Sequence, residues 1–195
     1  MLCGLRVRVA AVCLAAGCAG QNPPPPSHRL VDPLVLYPLQ AGNAWSYDVD
    51  TGEASTTLAV TRVAGFDGHL AEVRTGGAVV RYEVSAEGIR APTDDGWIIR
   101  APVEDGATWQ GRGGRIAHVI SISMALETPA GRFDRCVEVL ETGGKPDLEV
   151  RTVYCPGVGP VSVRSTMRSS VSDRVVTVSA LLRGYEVSAS RVPDR

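Results

Sequence analysis

The stretch RIAHVISISMAL, Arg115 to Leu126, decides the fold. Ile116, His118, Ile120, Ile122, Met124 and Leu126 share one parity, with Ser121 and Ser123 on the other. A period of two belongs to an extended chain, whose successive side chains point to opposite faces; a helix of this length would repeat its apolar positions every three or four residues. The segments around it read the same way. AWSYDV, TTLAVTRV, AVVRYEV, GWIIRA, CVEVLE, VRTVY, GPVSVR and DRVVTVSALLR are rich in valine, isoleucine and threonine, and Gly, Asp or Pro marks most of their boundaries. Val176, Val178, Ala180 and Leu182 line one face near the end. No long segment has a helical period. The expectation is an all-β antiparallel protein, folded as a sandwich or a strongly curved half-barrel.

An internal echo adds organisation. PLQAGNAW and PVEDGATW carry Pro38, Gly42 and Trp45 at the spacing of Pro102, Gly106 and Trp109. Downstream, AGFDGHLAEV (Ala64 to Val73) is echoed by AGRFDRCVEV (Ala130 to Val139), and RYEVSAEGI by TVYCPGVGPV. These matches suggest two related β units, 38–101 and 102–188, each entered through a turn whose glycine admits positive φ. Turn signals also recur by chance, so coincidence is the competing explanation. Either unit alone would expose an open apolar sheet face, so both belong to one domain, 30–195.

Composition agrees. A chain of 195 residues, 44% hydrophobic and 21% charged, is long enough for one well-buried core. Its net charge of −1, with both signs scattered, offers no footprint for nucleic acid.

The first residues form a targeting signal. Arg6 and Arg8 supply positive charge, and Val7 to Ala16 form an apolar run too short to span a bilayer. Ala15, Ala16 and Gly17 then precede Cys18. From these residues alone an ordinary secretory signal, cut near AAGCAG, is the alternative. LAAGC resembles the lipobox of bacterial lipoproteins. That resemblance implies that residues 1–17 are a lipoprotein signal peptide, that the Cys18 thiol takes a diacylglyceryl group, and that the mature chain begins there, anchored in the cell envelope. Ala19 rather than Asp follows the cysteine, which in lipoproteins of Gram-negative bacteria favours the outer membrane. Residues 18–29, with prolines from Pro23 to Pro26, read as a stiff polyproline II tether of about 3.1 Å per residue.

Cys3 and Cys13 leave with such a signal, so Cys136 and Cys155 are the thiols left in an oxidising compartment, and a disulfide is expected between them. FDRCVEVLE and DLEVRTVYC make a hairpin about TGGKP. Cys136 shares a face with Glu138, and Cys155 with Glu149 and Arg151, which places both thiols on the more polar side; the register must also bring the Cα atoms within about 7 Å. Two free thiols are the alternative. With no histidine nearby they would not close a zinc site.

YPLQAGNAWSYDV, TPAGRFDRCVEV and VYCPGVGPVSV together resemble a family of uncharacterised secreted bacterial proteins and lipoproteins. Its members open on Pro-Leu-x-x-Gly-x-x-Trp-x-Tyr, continue with a Pro-Ala-Gly-x-Phe turn (Gly131 and Phe133 here) before a cysteine strand, and close on Tyr-x-x-Gly-Val-Gly-x-Val (Tyr154, Gly157 and Gly159 here). The resemblance implies fold and location, and no activity. An alanine commonly stands in the family where this chain has Cys155.

Catalytic patterns are missing from the sequence. There is no Gly-x-Ser-x-Gly, Ser-x-x-Lys, His-Glu-x-x-His or phosphate loop. His28 falls in the tether, His69 near a turn and His118 on the apolar strand face, where a core or rim histidine is expected. TDDG (Thr93 to Gly96), VEDG (Val103 to Gly106) and GRGGR (Gly111 to Arg115) read as turns before a calcium or phosphate loop. The function expected is that of a lipid-anchored envelope protein with a non-catalytic interaction or structural domain, its edges or loops binding another envelope component. A periplasmic carrier of a lipid or other apolar ligand is the alternative. A hydrolase of dispersed carboxylates ranks last; neither cofactor nor metal is expected.

Overall fold

The valine- and threonine-rich runs become strands, and the glycine-bearing gaps between them become turns. The computed structural model describes residues 31–144, 147–168 and 174–188. The signal segment, Cys18 and the tether with His28 lie outside the described residues. Among the described residues the chain forms β1 (Ala44–Asp50), β2 (Thr57–Phe66), β3 (Leu70–Thr75), β4 (Ala78–Ser85), β5 (Gly88–Ala91) and β6 (Gly96–Arg100). It continues with β7 (Thr108–Gln110), β8 (Arg115–Thr128), β9 (Gly131–Gly143), β10 (Leu148–Cys155), β11 (Gly159–Arg168) and β12 (Val175–Glu186). One short helix, α1 (Pro33–Leu36), precedes them, its first turn capped by Asp32, whose carboxylate accepts from the Leu34 N–H at 2.9 Å.

All twelve strands belong to one antiparallel sheet, ordered β6-β5-β4-β3-β2-β1-β12-β11-β10-β9-β8-β7. Two six-stranded meanders are therefore joined through β1 and β12, which pair over seven residues from Ala44 opposite Glu186 to Asp50 opposite Ser179. The free edges β6 and β7 curl back on each other: a Cβ on Gly96 would stand 2.1 Å from the Gly111 carbonyl oxygen. The sheet is thus the curved form of the expected fold, bent into a nearly closed barrel. Register shifts in the pairs β1–β12, β2–β3, β5–β6, β8–β9 and β10–β11 add the local twist that this curvature needs.

The two meanders start alike. The Gly42 N–H donates to the Val63 carbonyl (2.9 Å), Asn43 to Gln40 (3.1 Å) and Val63 back to Asn43 (2.8 Å). Gly106 donates to Val119 (3.0 Å), Ala107 to Glu104 (3.1 Å) and Val119 back to Ala107 (2.9 Å). Both glycines have positive φ, 92° and 80°, which a side chain would strain. Val63 stands opposite Val73 and Val119 opposite Val139; Ala71 faces Tyr82 as Val137 faces Tyr154. The junctions differ. β1 and β12 are hydrogen-bonded, whereas β6 and β7 share no ladder among the described residues.

β8 departs from its sequence reading. Ala117 and Val119 are the buried residues at its start, and Ile116, His118 and Ile120, expected on the core face, are exposed. The bulge after Val119 resets the parity, so that Ile122, Met124 and Leu126 pack partly against the core. Asp105 serves that bulge by accepting from the Ile122 N–H at 2.9 Å.

One end of the barrel is filled. Leu36, Tyr37 and Leu39 are buried inside it, and the Gly157 N–H ties the β10–β11 turn to the Val35 carbonyl at 2.8 Å. The tip of hairpin β8–β9 reaches β12, with the Ala130 N–H on the Leu182 carbonyl (3.0 Å) and Phe133 against Tyr185 (6.1 Å between ring centres). Cys136 and Cys155 sit opposite each other, one step beyond the Val137–Tyr154 pair, and are bonded at S–S 2.04 Å with Cα atoms 4.2 Å apart. Both cysteines are buried although their face is polar; Glu138 beside them is buried too and accepts from Arg151 at 2.6 Å, while Arg151 and Glu149 farther along the face stay accessible.

Candidate functional site

Along β1 the inward side chains are Trp45, Tyr47 and Val49, running from the filled end to the open one. Trp45 donates through Nε1 to the Val158 carbonyl at 2.6 Å, and the Tyr47 hydroxyl to the Pro160 carbonyl at 2.9 Å. Beyond Tyr47 the interior is a cavity of about 330 Å³. β2 contributes Ala59 and Thr61, β3 Val73 and Thr75, β4 Val80 and Tyr82, and β11 and β12 Pro160, Val163 and Ala180; Tyr37 completes the lining. The cavity follows from side-chain size. Large aromatics occupy the inward positions at the filled end, and Ala59, Thr61, Thr75 and Ala180 occupy them at the other. Val80 and Val176 point inward by register and are nonetheless 37% and 44% exposed.

Aromatic rings form the inner boundary. Tyr37 stacks edgewise on Trp45 at 5.5 Å and lies 6.1 Å from Tyr82 and 6.2 Å from Tyr154. Burial pushes the hydroxyls of Tyr37, Tyr47, Tyr82 and Tyr154 above the usual phenol range, so all four stay protonated and able to donate. Toward the β6–β7 seam the interior turns polar. Glu141 points inward in the parity of Val137 and Val139 and is held by Arg115 Nε at 2.8 Å, both side chains nearly buried. Arg112 lies on the turn between β7 and β8. Its burial opposes the charge, but the fields of Glu141, Tyr154, Tyr82 and Asp94 hold the proton more tightly than usual. The buried Arg112 Nε and Trp109 Nε1 have no hydrogen-bond partner among the described residues.

The residues singled out from sequence mostly gather elsewhere. Pro38 accepts from the Asn43 side chain at 2.7 Å; Gly157 and Gly159 shape the turn beneath Trp45, where a Cβ on Gly159 would stand 2.9 Å from the indole nitrogen. Gly42, Gly106 and Gly131 are turn residues of positive φ, Phe133 covers Tyr185, and Pro102 follows a cis peptide bond. Tyr154 belongs to the aromatic boundary. His69 Nδ1 lies 3.2 Å from the Val84 carbonyl, Asp95 pairs with Arg90 in its turn, and among the described residues no three His, Cys, Asp or Glu side chains could hold a metal. Sequence reading missed Tyr37, Tyr47, Tyr82, Arg112 and Glu141. Two signals were available: the aromatic-to-small gradient of inward positions, and the lone glutamate in a valine parity.

No protein-family model matches the chain, and no curated protein matches it in sequence. Among solved structures, it is similar to a protein of Bacteroides fragilis provisionally described as an exported protein with a YmcC-like fold: 15% identity, 77% of this chain and 98% of that one covered, TM-score 0.42. It is also similar to a protein of Parabacteroides distasonis provisionally described as a lipoprotein: 12% identity, 78% and 98% covered, TM-score 0.43. Both likenesses are too distant to carry a functional inference.

Proposed function

We propose that this chain is a bacterial envelope lipoprotein, anchored through Cys18 and directed by Ala19 to the outer membrane, whose barrel carries a small apolar ligand in its open end without chemistry of its own. The observation that carries this reading is the cavity of about 330 Å³ beyond Tyr47, where Val49, Val80, Val163, Ala59 and Ala180 face inward and stay partly accessible. Such a volume is in the range of small-molecule sites, which lie preferentially in the mouths of β-barrels. A filled core would have favoured the interaction module over the carrier.

Native mass spectrometry of residues 27–195, made in an oxidising periplasm without detergent, tests the carrier. A reproducible extractable lipid or apolar metabolite on the folded chain is expected; a bare chain after incubation with envelope lipid extract would reject it. The anchor is tested apart, with a labelled fatty acid: Cys18→Ser should lose both the label and membrane retention.

The interaction module is the second reading. Leu58, Val79 and Val175 face outward near the open end and are exposed, a rim on which another envelope protein could close. Cross-linking from that rim in intact cells distinguishes it.

A further inference from the structure

The chain enters its barrel at one end, and the cavity opens at the other. Val31 bridges Val103 just past the end of β6, and Leu36, Tyr37 and Leu39 then fill the barrel from that side. Ser85, Gly88 and Arg100 lie at the same level, since Gly88 stands opposite both of the others. The mouth is at the far end of the same sheet, where Val49 meets Thr57 and Thr75 meets Ala78. β4 covers this height in eight residues, Ala78 to Ser85, or about 23 Å along the strand at ~3.3 Å per residue.

The anchor joins at the filled end. Between Cys18 and Val31 the chain has thirteen residues, 18–30, counting Cys18 itself. Extended at about 3.1 Å per residue, they reach about 40 Å. With the filled end toward the bilayer, that length spans the gap directly. With the mouth on the bilayer, more than half of it would have to run back along the outer wall.

The rim does not have the charge of a lipid-binding face. Leu58, Val79 and Val175 are exposed there, and the charges at that end among the described residues are of both signs: Asp50, Glu53 and Asp147, with Arg74, Arg168 and Arg174. A face that rests on anionic lipid carries an excess of Lys and Arg. Apolar side chains rimmed by both signs of charge fit a protein surface.

We propose that the mouth opens away from the bilayer that holds Cys18, and that the ligand is exchanged there with a soluble envelope protein closing on Leu58, Val79 and Val175, not with the anchoring membrane. This rests on the carrier and anchor readings and adds the direction of exchange and the kind of partner.

The test uses the full lipidated chain in phosphatidylcholine vesicles, with a donor dye on one added thiol, either Glu87→Cys at the filled end or Val79→Cys on the rim. Cys136 and Cys155 are bonded to each other and do not take the dye. Flotation comes first: a chain that does not rise with the vesicles overturns the anchor, and the direction with it. An acceptor dye on the headgroups of the same vesicles should then draw energy several-fold more strongly from the Glu87 site than from the Val79 site. Equal transfer from the two sites, or more from Val79, overturns the direction. With the acceptor moved to added protein-free vesicles containing phosphatidylglycerol, the Val79 site should show no transfer; transfer there would make the partner a second bilayer and overturn the soluble one. Native mass spectra of the same chain report the carrier separately. A bare chain with the expected transfer pattern would overturn the exchange of a ligand and leave the direction standing.

Discussion

Trp45 and Trp109 stand at equivalent places in the two meanders, but only Trp45 finds an acceptor for its indole N–H, the Val158 carbonyl at 2.6 Å. The corresponding carbonyl in the other half, that of Glu87 just before Gly88, is taken by the Ala101 N–H at 2.8 Å. Trp45→Phe should cost about 1–3 kcal/mol, because it leaves a carbonyl unpaired in the aromatic cluster. Trp109→Phe removes a donor that has no partner, and should stay within about 1 kcal/mol of the parent. Urea unfolding of the two variants checks the contrast; equal losses would show that the two indoles are equally bonded.

The bridge between Cys136 and Cys155 closes a loop of sequence separation 19. Replacing both cysteines by alanine should lower stability by about 3 kcal/mol in the chain-entropy account. Reductant added to the parent should give a similar loss, read as a fall in the thermal midpoint, and should leave the double variant unchanged.

Arg115 and Glu141 form a nearly buried pair inside the barrel. Glu141→Gln leaves Arg115 inside with no counter-charge and should cost about 3–5 kcal/mol. Replacing both partners, with Arg115→Met and Glu141→Leu, should recover most of that loss. A double-mutant cycle in urea measures the coupling, and a coupling near zero would mean that the pair is solvated.

Filling the cavity should separate ligand capture from folding. Ala180→Leu and Ala59→Leu add bulk where the lining is small and accessible. Ligand carry-over in native mass spectra should fall at least about tenfold, with the unfolding midpoint preserved, because the added methylenes enter open space and not a packed core. Undiminished carry-over would place the ligand outside the barrel.

Four tyrosines have hydroxyl pKa values raised by burial above the ordinary value of 10.0. The unfolded chain loses those protons near pH 10 and the folded chain retains them, so the unfolded state binds fewer protons above that point and stability falls with pH. The stabilisation is fully present below pH 10 and is lost as pH rises from there toward the folded values. Phenolate absorbance of these four should lag until it rises together with the loss of far-ultraviolet dichroism. A phenolate signal completed well before unfolding would contradict their burial.

Strand identity was legible because valine and threonine at period two have few other uses. The Cys136–Cys155 pairing was legible as well, since a hairpin's turn sets its register. The β8 face was misread because a bulge inserts a residue and flips parity downstream, and the apolar alternation continues across it. The cavity was hidden for another reason. Its lining comes from six strands, β1 to β4 together with β11 and β12, two groups distant in sequence that meet only through the β1–β12 pairing, and Tyr37, which bounds it, comes from a segment before the first strand.

The pairing of β1 with β12 also governs how the chain must fold. Ser46 meets Gly184 across a sequence separation of 138, so the first strand keeps one edge unpaired until nearly the whole chain has been delivered. Closing so long a loop is slow, since its entropy is lost before any contact repays it. A chain released from its N-terminus would therefore present the bare edge of β1 throughout its delivery. That interval, more than the finished barrel, is when it is most exposed to strand-to-strand aggregation and most dependent on a chaperone.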